Sequence, residues 1–149
     1  MIDTAQPSAP LEGHCLCGAV TISAIPAKPH LEACHCEMCR RWCGSAYIAV
    51  QSDSEPGITG EEHITRYRSS DWAERGFCRH CGSNLFYRFL PSGSYSFLAG
   101  LFDDVAGMTL GEEIFVDEQP LYYSFEQETH RKTGPEIIAE AQAAGFSFD

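Results

Sequence analysis

The sequence predicts an all-β domain of mainly antiparallel short strands, with one or two short peripheral helices, and three observations lead there. Seven segments of five to eight residues are rich in β-branched or aromatic side chains and bounded by Gly, Pro, Ser or Asp. Turn signals separate them at short intervals, without the long helical stretches that a βαβ repeat requires. The 149 residues, 44% hydrophobic and 21% charged, suit one soluble domain with a single core.

Taken in order, "MIDTAQPSAPLEG" has neither a basic start nor an apolar segment, so it does not read as a signal peptide. Residues 1–11 are expected to form a disordered tail and residues 12–149 a single domain. "AVTISAI" (19–25) alternates Val20 and Ile22 with Thr21 and Ser23, as a half-buried strand does. "SAYIAV" (45–50), "HITRYRS" (63–69), "NLFYRFL" (84–90) and "YSFLAGLF" (95–102) continue the series, followed by "EIFVD" (113–117) and "LYYSF" (121–125). One turn of helix is expected over "EMCRRW" (37–42). A longer helix is expected in "TGPEIIAEAQAAG", with Thr133 as N-cap, Pro135 in the first turn, Glu136 as capping-box partner and Gly145 as terminator. Its apolar face of Ile137, Ile138 and Ala141 is thin, which predicts peripheral packing.

Net charge is −11, which argues against nucleic acid as a partner, because phosphate binding needs clustered Lys and Arg. Residues 1–90 hold 8 basic and 10 acidic side chains, whereas residues 91–149 hold 2 and 11. Seven arginines fall between Arg40 and Arg88, either as a solvated surface or as a local anion-binding patch. No apolar run approaches the roughly 18 residues of a membrane span, so no membrane partner is expected and a cytoplasmic location is the default. In a reducing compartment, eight cysteines read as metal ligands rather than four disulfides.

The cysteines fall into three groups. Cys15 and Cys17 form C-x-C, and Cys34, Cys36 and Cys39 form C-x-C-x-x-C with Cys43 four residues later. Cys78 and Cys81 form C-x-x-C before Gly82, a knuckle whose turn calls for glycine. In an extended strand, residues i and i+2 share a side, so each C-x-C can offer two sulfurs to one ion. Two partitions follow. Either Cys15, Cys17, Cys78 and Cys81 close one site while Cys34, Cys36 and Cys39 leave a position open, or Cys43 completes the second site as well. Spacing alone permits both.

"GHCLCGAV", "CHCEMCRRWCGS" and "RGFCRHCGSNLFYR", in that order, resemble the glutathione-dependent formaldehyde-activating family, and "LAGLFDD" with "EIFVDEQPLYYSF" resembles its downstream region. The resemblance covers roughly residues 12–125. It implies a zinc-stapled β-tent with two zinc ions. The structural zinc falls on Cys15, Cys17, Cys78 and Cys81, and a second, catalytic zinc falls on Cys34, Cys36 and Cys39. Cys43 is a departure, since a small residue other than cysteine is expected there. The resemblance also implies a carbon–sulfur lyase that adds a small thiol such as glutathione to a small aldehyde such as formaldehyde.

An open three-thiolate zinc suits thiol delivery more than carbonyl activation, because three thiolates already neutralise the ion. Arg40 and Arg41, directly after Cys39, are candidates for the substrate carboxylates, with pairing to Glu37 or Asp71 as the alternative. Asp103 and Asp104 read as a turn or cap rather than a catalytic base. His14, His35 and His80 flank ligand cysteines and read as exposed spacers, the alternative being support of the ligands. The competing functions are a non-catalytic zinc-stabilised binding module, its acidic half facing a partner, and a redox or zinc sensor. The acidic balance also leaves room for a thiol other than glutathione.

Overall fold

A computed structural model describes residues 9–148. The strands are β1 (Leu11–His14), β2 (Thr21–Ala24), β3 (Leu31–Cys34), β4 (Tyr47–Ser52), β5 (Gly57–Thr59), β6 (Ile64–Ser70), β7 (Ala73–Cys78), β8 (Asn84–Phe89), β9 (Ser94–Leu98), β10 (Leu110–Ile114) and β11 (His130–Lys132). Two α-helices, α1 (Glu37–Cys43) and α2 (Gly134–Ala143), complete the mostly β architecture that the sequence predicts. The expected tail lies largely outside the described residues, and Leu11 itself opens β1. The elements gather into two compact units. One comprises the chain up to Pro29 together with Ala49–Met108, and the other His30–Ile48 and the chain from Thr109 onward.

The first unit is antiparallel throughout. β2 pairs with β1 on one side and β5 on the other, and the Thr21 and Thr59 hydroxyls bond across the β2–β5 pair. A second ladder runs β4, β9, β8, β7, β6. Tyr95 and Phe97, two residues apart on β9, project from the same face, so their rings stack 5.1 Å apart. Phe86 of β8 meets both edge-on, at 5.1 and 6.0 Å, an arrangement worth about 0.5–1.5 kcal/mol per pair beyond burial. Opposite Phe86 on β7 stands Gly76, where a Cβ would run into the ring. This packing holds the end of β7, and therefore the turn that carries Cys78 and Cys81.

In the second unit the pairing differs from the expected antiparallel pattern. β10 lies between β3 and β11 and is parallel to both. A parallel pair cannot be joined by a tight turn, so residues 115–129 form a long crossover between β10 and β11. That crossover holds "LYYSF", which is a loop and not the expected strand. The Gln119 side chain donates to the Tyr123 carbonyl at 2.9 Å, which satisfies a backbone group that a ladder would otherwise take, and Leu121 and Tyr122 stand exposed. β10 also starts and ends before the expected 113–117, because Phe115 adopts φ 56 and turns the chain into a short 3-10 segment. A phenylalanine at positive φ is strained, and here its ring packs against Gly134, which has no side chain to exclude it.

α2 forms as its sequence predicts. Thr133 accepts from the Glu136 amide at 3.3 Å while the Glu136 carboxylate accepts from the Thr133 amide at 3.2 Å, and Gly145 follows at φ 98. β1, β3, β5, β7 and β11 were not expected from the sequence, because "LEGH", "LEAC", "GIT", "AERGFC" and "HRK" are too short or too charged to show a period of two.

Gly76→Ala tests the aromatic packing. Overfilling this contact should cost about 1–3 kcal/mol, seen as a lower midpoint in urea with an unchanged slope. A midpoint equal to wild type would show that the Phe86 ring is free to move aside.

Candidate metal centres

Two turns of the first unit converge. After β1 the chain reverses through Cys15 and Cys17, with Gly18 at φ 80 donating its amide to the Cys15 carbonyl at 3.1 Å. The C-x-C therefore sits in a turn, not in the extended strand that spacing suggested. The second turn begins at Cys78, the last residue of β7, and closes through Gly82 at φ 77, whose amide reaches the Cys78 carbonyl at 2.8 Å. The Leu16 amide donates to the Ser83 hydroxyl at 3.0 Å and ties the two turns together.

Their four Sγ atoms lie within 4.8 Å of one another. Cys15 to Cys17 is 3.7 Å and Cys17 to Cys78 is 3.8 Å. Sulfurs about 2.3 Å from a central zinc ion stand about 3.8 Å apart in a tetrahedron, so the donor set and its dimensions fit zinc. Cys15 and Cys78 are fully buried. Acidities are split as crowded thiols require. Hydrogen bonding from Ser83 leads the effects that bring Cys81 down to about 5. At Cys17 the Ala19 amide favours the thiolate, but burial and the three neighbouring sulfurs outweigh it and push the thiol up to about 11. Four thiols this close could all ionise only with a cation among them.

In the second unit, Cys34 ends β3, Cys36 is the N-cap of α1, and Cys39 is buried in its first turn. The Cys39 amide donates to the Cys36 sulfur at 3.4 Å, so the cap that starts the helix also places two donor sulfurs together. These three Sγ atoms lie within 4.8 Å of one another, and Cys43, at the far end of α1, is not part of that group. The Cys36 and Cys39 sulfurs, with burial, push the Cys34 thiol well above its usual range. Three soft donors at one strand–helix junction suit a zinc ion with one position left over.

The expectation of exposed spacer histidines fails at His35, which is fully buried. Its Nε2 lies 2.7 Å from Glu113 Oε1, and its Nδ1 lies 2.6 Å from the Tyr123 hydroxyl. Glu113, on β10, also accepts from Arg131 at 2.7 Å and from Thr129 at 2.5 Å. Burial alone would raise the Glu113 carboxyl, but hydrogen bonds from Thr129, His35 and Arg131 outweigh it and hold it below the usual range. Burial lowers the His35 pKa despite the opposing pull of Glu113. Burial also leads the effects that push Tyr123 up to about 12, with Tyr122 next and Arg40 opposing. An ionised carboxylate only accepts, so the hydrogen-bond network assigns the His35 hydrogen to Nε2 and leaves Nδ1 to accept from Tyr123. His80 is exposed and pairs with His63 at 2.8 Å, while His14 donates to the Cys15 carbonyl at 2.7 Å.

The two arginines differ. Arg41 is exposed and paired with Glu37 four residues earlier at 2.9 Å. Arg40 donates Nε to the His35 carbonyl at 2.9 Å, and its terminal nitrogens have no hydrogen-bond partner among the described residues. Glu37, Arg40, Arg41 and Tyr122 line a cleft of about 340 Å³. Asp104 accepts from the Ala106 amide at 2.8 Å, as a turn residue does, and Asp103 is exposed, 3.9 Å from His14. Glu113, Thr129, Arg131 and Tyr123 had no signal in the sequence beyond "GEEIF", where two adjacent acids interrupt an apolar strand and both are buried.

The model of a family described as glutathione-dependent formaldehyde-activating enzyme matches residues 10–118. An uncharacterized lyase of Schizosaccharomyces pombe is 35% identical over 128 residues, covering 85% of this chain and 93% of that protein. A structural-genomics crystal structure of a Rhodobacter sphaeroides protein shares the fold, with a TM-score of 0.56 at 24% identity over 67% of this chain and 99% of that one.

Cys81→Ser tests the first cluster. Two turns more than sixty residues apart in sequence are joined there, so metal binding becomes folding free energy. The variant should lose one zinc equivalent by mass spectrometry, along with its cooperative melt. A soluble variant with unchanged zinc content and melting would remove the metal from this cluster.

Proposed function

The chain belongs to the glutathione-dependent formaldehyde-activating family, and from that premise we propose that it is a zinc-dependent carbon–sulfur lyase. It reversibly joins a small thiol, glutathione in the first instance, to a small aldehyde such as formaldehyde. The observation that carries this reading is the three-sulfur group at Cys34, Cys36 and Cys39, which Cys43 does not join. The binding-module alternative requires Cys43 to close that group. Cys34, Cys36 and Cys39 would hold a zinc ion with one position left open, and the ion would supply stabilisation of a substrate thiol in its thiolate form.

The chain's own residues do the rest. The α1 N-cap holds the sulfurs of Cys36 and Cys39 together, and the buried Glu113–His35 pair braces the backbone between Cys34 and Cys36. Arg40 presents to the cleft two terminal nitrogens that are uncommitted among the described residues, a fork suited to a glutathione carboxylate. Arg41 is engaged by Glu37, an exposed helical pair worth about 0.3–0.5 kcal/mol. We assign the carboxylate contact to Arg40 and leave Arg41 as surface. Segments of both compact units fall within the family match, which supports reading the chain from Leu11 onward as one functional domain. No helix is long and apolar enough to cross a membrane among the described residues, and the acidic balance opposes nucleic acid.

The function is tested by exchange NMR on glutathione, formaldehyde and their adduct. The zinc-loaded chain should speed interconversion over the uncatalysed rate, and Cys39→Ser should abolish the effect. Equal rates with and without the wild-type chain would contradict the reading. Arg40→Ala should raise KM for glutathione by about 10- to 100-fold, the loss of a charge-assisted bond, with zinc content unchanged. Arg41→Ala should change it less than about fivefold. The reverse order would reassign the carboxylate contact.

A further inference from the structure

A carboxylate taken out of water is costly, and Glu113 is buried on β10 with Thr129, Arg131 and His35 all donating to it. Fold alone does not call for this arrangement, since a packed apolar side chain at the same position would avoid the cost. What the arrangement does is orient. Glu113 fixes the hydrogen on His35 Nε2, so Nδ1 accepts, and the Tyr123 hydroxyl donates to it at 2.6 Å. The ring of His35 also lies 5.4 Å from that of Tyr123 with planes 24° apart, which holds the phenol in place.

A phenol oxygen has one hydrogen to give and two positions at which to accept. The hydrogen is spent on His35, and among the described residues this oxygen has no second partner. It is therefore an oriented acceptor. Tyr123 bonds to His35, which stands between Cys34 and Cys36, and its neighbour Tyr122 lines the cleft with Arg40.

Resting on the function proposed above, we propose that the Tyr123 oxygen accepts the hydroxyl hydrogen of a thiol–aldehyde adduct, with Glu113 and His35 as the positioning pair behind it. The adduct carries an O–H on the carbon next to sulfur, whereas a free aldehyde carbonyl can only accept. An oriented acceptor at Tyr123 therefore distinguishes the adduct from its aldehyde component and from thioethers that lack the hydroxyl.

Two stable thioethers serve as probes for the zinc-loaded full chain, S-(2-hydroxyethyl)glutathione and its O-methyl ether. Both present the same carboxylates to Arg40 and differ only at the terminal oxygen, which carries a hydrogen in one and a methyl group in the other. By calorimetry the wild type should bind the hydroxyl probe roughly three- to tenfold more tightly, the worth of one hydrogen bond. Tyr123→Phe should bind both probes alike, at the wild-type affinity for the ether, with zinc content and melting unchanged. In wild-type protein the 15N resonance of His35 Nδ1 should move with the hydroxyl probe and stay put with the ether, a readout that does not depend on the variant folding. Equal wild-type affinities, or a preference that survives Tyr123→Phe, would overturn the role of Tyr123 and leave the glutathione reading standing. Failure of both probes to bind wild type would remove the glutathione reading itself, and this proposal with it.

Discussion

Sulfur crowding is the constraint on which both units turn. Thiols gathered within 4.8 Å cannot all ionise without a counter-charge, and a tetrahedral dication meets that need with bonds of the right length. In the first unit the crowding is built from two backbone turns, each relying on a glycine at positive φ, and the aromatic stack of Phe86, Tyr95 and Phe97 keeps the strands beneath them in register. Four donors would close a metal site there and make its chemistry folding. In the second unit the same crowding comes from a strand end and a helix cap, with three donors instead of four. On the function proposed above, one ligand fewer is what separates a staple from a place where a substrate sulfur enters.

Around the three-sulfur group the second unit is built on parallel pairing. Its parallel strands bring residues distant in sequence side by side, Glu113 next to Ala33 in register and Ile114 next to Cys34. The buried carboxylate then reaches the histidine between two ligand cysteines, and the crossover that a parallel pair requires supplies Tyr122 and Tyr123. Topology and site are thus one arrangement. An antiparallel hairpin at the same place would need only a tight turn and would carry no such loop.

How much of this was legible in the sequence depended on range. The cysteine groups could be read because ligand spacing is local, and the α2 cap could be read because Thr133 and Glu136 lie three residues apart. "LYYSF" reads as a strand because its aromatic content matches one, whereas the segment is a loop with Leu121 and Tyr122 exposed and the Tyr123 carbonyl satisfied by Gln119. His35 was read as a spacer because nothing adjacent announces a buried acid 78 residues away. Whether Cys43 joins the second group was undecidable from spacing, since one helical turn permits a fourth ligand. In the structure Cys43 stands at the far end of α1, outside the three-sulfur group at the helix N-terminus.

The central claim is that the three-sulfur group keeps an open position. Its most direct test substitutes cobalt for zinc in wild type and in Cys43→Ser, and follows the visible ligand-field bands as glutathione is added. The account predicts that both proteins hold two metals with the same sulfur-to-metal intensity, and that glutathione shifts the bands of both in the same way. A variant that loses one sulfur's worth of charge-transfer absorption, and gains a sensitivity to thiol that wild type lacks, would show that Cys43 closes the site and would contradict the account.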